Sequence, residues 1–240
     1  MREKCFQLQI KQIQDNLPYL NTQYKMPEST TKLKSRAARI YELLLAEYPD
    51  AHCHLDYENP FQLLISTLLA AQCTDVRVNL VMGELYKKYK SSKDFLAVEP
   101  SELERELSSI TFFRNKTKSV INCCKALIEK HGGKVPHTME ELTELAGVGR
   151  KTANVVLGNC FGEPAITTDT HLNRVSQRLG LVDSDVPEKI EMELKKIIPP
   201  ENQMMFSHVI GEHGRQICKA KKPACGECVV GKLCPSKGKV

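Results

Sequence analysis

Four cysteines near the end of the chain, Cys218, Cys225, Cys228 and Cys234, are separated by six, two and five residues. Loops that short bring four side chains around one point, and four thiolates around one point hold metal. The C-terminal end must therefore fold around that centre. The other six of the ten cysteines (Cys5, Cys53, Cys73, Cys123, Cys124 and Cys160) are scattered and read as small buried residues. Two disulfides are the competing arrangement, but they belong to oxidising compartments. The N-terminus, Met-Arg-Glu-Lys-Cys-Phe-Gln-Leu-Gln-Ile, lacks the apolar run of a secretory signal. No run of about 18 apolar residues is present to span a membrane. A reduced, cytoplasmic setting is expected. Zinc rivals an iron–sulfur cluster at this stage, since Cys-x2-Cys serves both.

Charge points the same end of the chain at a polyanion. From Arg215 onward seven basic residues face a single acid, Glu227, and the rest of the +5 chain is close to neutral. Such a patch fits nucleic acid, or else a solubilising tail.

Elsewhere the pattern is helical. With no tryptophan and 6% aromatic residues, an aliphatic helical core is favoured over a β-sandwich. Residues 1–29 are polar and irregular apart from a short helix over Phe6–Ile13. Leu33, Ala37, Ile40, Leu44 and Tyr48 then recur at helical spacing until Pro49. Asn59-Pro60 opens a helix that runs to about Gln72, apolar nearly all round and hence buried. Thr74 caps the next, to about Lys88. Ser101 with Glu104, and Thr138 with Glu141, have the spacing of capping boxes. A helix from about Asn115 ends at His131-Gly132-Gly133. No alternating strand pattern of useful length occurs.

The stretch Glu141 to Leu157 reads as two helices joined by Ala146-Gly147-Val148-Gly149. Glycines at 147 and 149 permit a tight turn and leave backbone N–H groups uncovered at a helix N-terminus, which suits a phosphate. The plain alternative is a helical corner with no ligand. Lys151 lies in the first turn of the second helix, where the dipole opposes a cation. A placement that costs stability hints at use. A nucleophilic lysine must present its neutral amine, which the dipole favours by at most about 1 kcal/mol. Arg150 and partial burial must add to that. Asp169 follows in Thr-Thr-Asp-Thr-His and is placed to cap a helix from Thr170 to Leu179. A helix of about 15 Å from Lys151, then a loop reaching up to about 26 Å, allows the carboxylate to return to the amine. That pair suits covalent amine catalysis beside a general base.

These pieces, with Leu-Leu-Ala-Ala-Gln72-Cys-Thr-Asp75, occur together in one known family. From about Leu33 to Pro235 the chain resembles the endonuclease III family, iron–sulfur DNA glycosylases and abasic-site lyases of the helix-hairpin-helix superfamily. The resemblance implies an all-α fold of two helical domains flanking a DNA cleft: a six-helix barrel domain with the hairpin, and a cluster domain. It implies boundaries at 1–29 (extension), 30–52 (first helix, part of the cluster domain), 53–163 (barrel) and 164–240 (cluster domain). Lys151 falls on the family's nucleophile and Asp169 on its catalytic carboxylate. Gln72 falls on the residue that fills the gap left by a flipped nucleotide, and Phe112 on the apolar wedge. Gly147, Gly149 and Arg150 of the hairpin, and Lys219, Lys221 and Lys222 of the tail, are expected on the DNA backbone. Cys218, Cys225, Cys228 and Cys234 fall on the ligands of a [4Fe–4S] cluster.

The activity so implied is removal of oxidised pyrimidines from double-stranded DNA. Strand nicking by β-elimination follows through a lysine Schiff base, at damaged bases or abasic sites. A monomer in the cytoplasm, nucleoid-associated when bound, is expected. Departures from the family pattern are Ala146 for a frequent proline, Thr111 for a frequent glycine, the bulk of Phe112, and Cys73 beside Gln72. They bear on lesion choice more than on chemistry. Two rivals are an adenine mismatch glycosylase, which lacks the lysine, and a non-catalytic hairpin protein with a zinc site.

Overall fold

The computed structural model describes residues 28–240. The short N-terminal helix, and all but the last two residues of the expected extension, lie outside the described residues. Eleven α-helices and no strand occur among them. Polar caps start most of the helices. α1 (Thr30–Glu47) begins where the Ser29 hydroxyl accepts from Lys32 N–H. α2 (Pro60–Ala70) is capped by Asn59, has proline in its first turn, and is buried along nearly its whole length. α3 (Asp75–Lys88) is capped by Thr74, as its sequence predicts.

The Ser101/Glu104 capping box is not formed. α5 (Pro100–Glu106) starts two residues before the position that box requires, at a proline preceded by Glu99, and has no side-chain cap. Proline fixes the first turn, so Ser101 is already inside the helix. The capping box lies instead at Ser91 and Asp94, which open α4 (Ser92–Ala97). At Thr138 the hydroxyl caps Glu141 N–H but donates back to the Glu141 carboxylate. α6 (Phe113–His131) ends at Gly132 in the left-handed region. α7 (Met139–Thr143) and α8 (Arg150–Cys160) form the hairpin. α9 (Thr170–Arg178) is capped by Asp169, and α10 (Pro187–Ile197) and α11 (Gln203–Gln216) complete the set. None of the described helices is long and apolar enough to cross a membrane.

Two hydrophobic cores divide these helices. One gathers α2 to α8 around Phe61, Leu64, Phe95, Val120, Leu127 and Val156. The other gathers α1 with α9, α10 and α11 around Ile40, Leu44, Val175, Leu194 and Phe206. Each fully buried side chain of this kind contributes about 1.5–3 kcal/mol, and each core draws its own set of helices together. The chain passes between them at Ala51–Leu55 and again at Phe161–Ile166, and α1, although first, packs with the last helices.

Polar ties span the seam. Arg150 donates twice to Glu191, at 2.7 and 2.8 Å, and Lys195 reaches the same carboxylate at 2.9 Å. His54 pairs with Glu212, and His208 Nε2 lies 3.0 Å from Asn159 Oδ1.

Candidate active site and metal centre

A cleft at the seam is lined from the first core by Ala71, Asp75, Lys151 and Asn159, and from the second by Asp169 and His208. Lys151 stands exposed in the first turn of α8. Asp169 is held by its own backbone: Oδ1 accepts from Leu172 N–H at 2.7 Å. The loop before it is pinned where Ser207 Oγ accepts from Thr167 N–H at 3.1 Å. The amine and the carboxylate, 18 residues apart in sequence, therefore face one cavity from opposite cores. A preset carboxylate opposite an exposed amine is the geometry that proton transfer beside a nucleophile needs.

Three non-glycine residues among those described have left-handed backbones: Gln72 (φ 54°), Phe112 (φ 58°) and Lys222 (φ 52°). Such conformations cost about 1–2 kcal/mol each and collect where function requires them. All three were singled out in the sequence for DNA contact, and all three are exposed. Phe112 is 61% exposed, far from the usual fate of a phenylalanine.

At the hairpin the two glycines differ. Gly147 has φ 79°, and a Cβ there would meet Ser119 Cβ at 3.1 Å. Gly149 has an ordinary extended backbone, and a Cβ would meet nothing within 4 Å. The fold needs glycine at 147. At 149 the free space lies outside, beside the N–H groups that open α8. Arg150 is spent on Glu191. Burial alone would push the Glu191 carboxyl up, but bonds from Arg150 and Lys195 outweigh it and hold the group below its usual range. Arg150 thereby fixes the first turn of α8, which carries Lys151, against α10.

The four tail cysteines line one small cavity, walled by Leu179, Ile217, Pro223 and Val240. An iron–sulfur cluster takes one thiolate on each of its four irons, and an all-thiolate donor set in an apolar pocket fits it. Burial pushes the Cys228 and Cys234 thiols up, a penalty that a cationic centre reverses.

Two arginines that sequence reasoning missed hold the loop from Cys218 to Lys222, and a third braces the end of α9 beside the cysteine cavity. Arg178 donates to Lys219 O at 2.7 Å and Ala220 O at 3.0 Å. Arg174 donates to Cys218 O at 3.1 Å, and Arg36 to Leu179 O at 2.5 Å. Lys219, Lys221 and Lys222 are left exposed on its outer side. Lys116 was missed too. Its signal was a charge in phase with the apolar stripe Phe113, Thr117 and Val120, and it is only 7% exposed.

Residues 65–200 match the HhH-GPD superfamily of base excision DNA repair proteins, and residues 218–234 match the iron–sulfur binding domain of endonuclease III. Endonuclease III of Synechocystis sp. is 48% identical, with 85% of this chain and 93% of that protein covered. Endonuclease III of Escherichia coli is 37% identical over 86% and 98%. Among solved structures, a trapped endonuclease III–DNA covalent intermediate, an estranged-adenine complex, matches with a TM-score of 0.82 and 43% identity. That match covers 86% of this chain and 97% of the other. A non-covalent endonuclease III–DNA complex matches equally well. A thermostable thymine-DNA glycosylase at 21% identity and a TM-score of 0.76 shares the fold.

Proposed function

We infer, from the premise that the chain belongs to the endonuclease III family of HhH-GPD base excision repair proteins, that Lys151 and Asp169 carry out its chemistry on a nucleoside turned out into the cleft. The protein is a DNA glycosylase and abasic-site lyase that binds DNA and carries a [4Fe–4S] cluster. Oxidised pyrimidines in duplex DNA are the proposed substrates. We further propose that the protein acts as a monomer and that the two cores are two domains, divided near residues 52 and 163.

The observation that carries the assignment of roles is the shared cavity of Lys151 and Asp169. The neutral Lys151 amine attacks C1′ of the sugar. The C1′–N bond breaks and its electron pair leaves with the base, which takes up a proton. The amine gives up one proton, the C1′–O4′ bond breaks as O4′ takes up a proton, and a protonated Schiff base is left between Nζ and C1′. Loss of a proton from C2′ then drives out the 3′ phosphate by β-elimination, and water releases the lysine. The Asp169 carboxylate faces positive charge on the sugar and accepts protons in transit. Gln72 and Phe112 occupy the vacated space in the stack, offsetting a few kcal/mol of unstacking. The hairpin N–H groups and the tail lysines take phosphates. The cluster, held by the four cysteines, supplies a rigid cationic core around which the lysine-bearing loop is ordered.

Borohydride trapping on duplexes carrying an abasic site or one oxidised pyrimidine tests this reading. A stable covalent product is expected with both. Base release without any trapped product would refute the lysine mechanism.

A further inference from the structure

We propose that Lys116 is a positioning residue that locks the turns bearing Gln72 and Phe112 into one register, so that the two side chains enter the DNA stack as a unit. This rests on the reading of those residues given above. Lys116 touches both turns. Its ammonium donates to Leu69 O at 2.8 Å and to Ala71 O at 2.5 Å, the carbonyl immediately before Gln72. Its backbone N–H donates to Phe112 O at 3.1 Å. Gln72 and Phe112, forty residues apart in sequence, are thus joined through one residue, whose ammonium holds the first turn and whose backbone N–H holds the second.

The cost of this arrangement argues for a purpose. Leu69 and Ala71 lie at the end of α2, whose last carbonyls have no partner inside the helix. The carbonyl between them, Ala70 O, is satisfied locally by Cys73 N–H at 3.0 Å. A glycine or a water does such work elsewhere. Here a lysine is buried, and among the described residues its ammonium meets neutral carbonyls rather than a carboxylate. Burial pushes its amine below the usual range. A buried charge with only neutral partners is a poor way to gain stability. It is a good way to hold two left-handed turns that would each relax if left alone.

The test uses the cluster-loaded full chain with Lys116→Met, which keeps the side-chain stem and removes both bonds. Two rates are read: base excision from a duplex with one oxidised pyrimidine, and β-elimination at a preformed abasic site in a single strand. The single strand has no stack to enter. Duplex excision is expected to fall roughly tenfold or more, with single-strand cleavage unchanged. In a Gln72→Ala/Phe112→Ala background the same substitution should have no further effect on duplex excision.

Equal loss on both substrates, or the same loss in both backgrounds, overturns the proposal and leaves Lys116 a helix-end brace. If Lys116→Met does not fold, Lys116→Gln, whose amide keeps a donor, is put through the same comparison with the same two readings. Failure of the unsubstituted protein to cleave an abasic site in a duplex would sink the enzymatic reading itself, a result separate from additivity among the variants.

Discussion

Lys151 owes nothing to the fold that a smaller side chain would lose, since it stands exposed at the start of α8. Lys151→Ala should therefore change stability by no more than about 0.5 kcal/mol, keep DNA affinity, and abolish the borohydride-trapped product. Gel-shift titration beside the trapping assay checks both. His208, on the cleft wall, behaves oppositely. Burial, helped by His52, His54 and Arg215, pushes its imidazole down to about 4. The unfolded chain then binds more protons than the folded one between about pH 6.5 and 4. The contribution of the neutral ring is complete above that window and is lost as pH falls through it, by no more than about 3 kcal/mol. Denaturant titrations across the window should show this loss reduced in His208→Gln.

The hairpin separates what the chain needs from what its ligand needs. Gly147→Ala forces a side chain onto a φ of 79° against Ser119 and should cost about 1–2 kcal/mol, read as a lower melting temperature. Gly149→Ala meets nothing in the protein and should melt normally while losing affinity for undamaged duplex. The sequence made much of this level legible. Caps at Asn59, Thr74 and Asp169 are local signals, written by residue type and read the same way in the structure. The box at Ser91 was passed over because aspartate rather than glutamate closes it, and Ser101 misled because Pro100 had already begun the helix. Arg150 looked like a free basic residue beside the lysine. Its partner Glu191 lies 41 residues on, beyond what spacing and local pattern can reveal.

For the molecule as a whole, the cysteine cavity is tied into the second core. Tyr48 of the segment after α1 bonds His213, which faces Cys228, so the metal centre is braced from both ends of the chain. Cys225→Ser should remove the visible absorbance of the cluster, unfold the loop of Lys219 to Lys222 and abolish most DNA affinity, while α2 to α8, with their separate core, keep their helicity. Absorbance, gel shift and circular dichroism on one preparation check all three. That Lys151 and Asp169 line one cavity was foreseeable from reach, but the way the turns of Gln72 and Phe112 and the hairpin are held together was not, because it runs through α6. Phe112 precedes that helix, Lys116 reaches the turn before Gln72, and Ser119 packs against Gly147. One extra residue between 116 and 119 would swing everything beyond it by about 100°. A substitution at 72 or 112 therefore alters one exposed side chain alone, whereas an insertion or deletion in that single helical turn would throw three distant parts of the chain out of step at once.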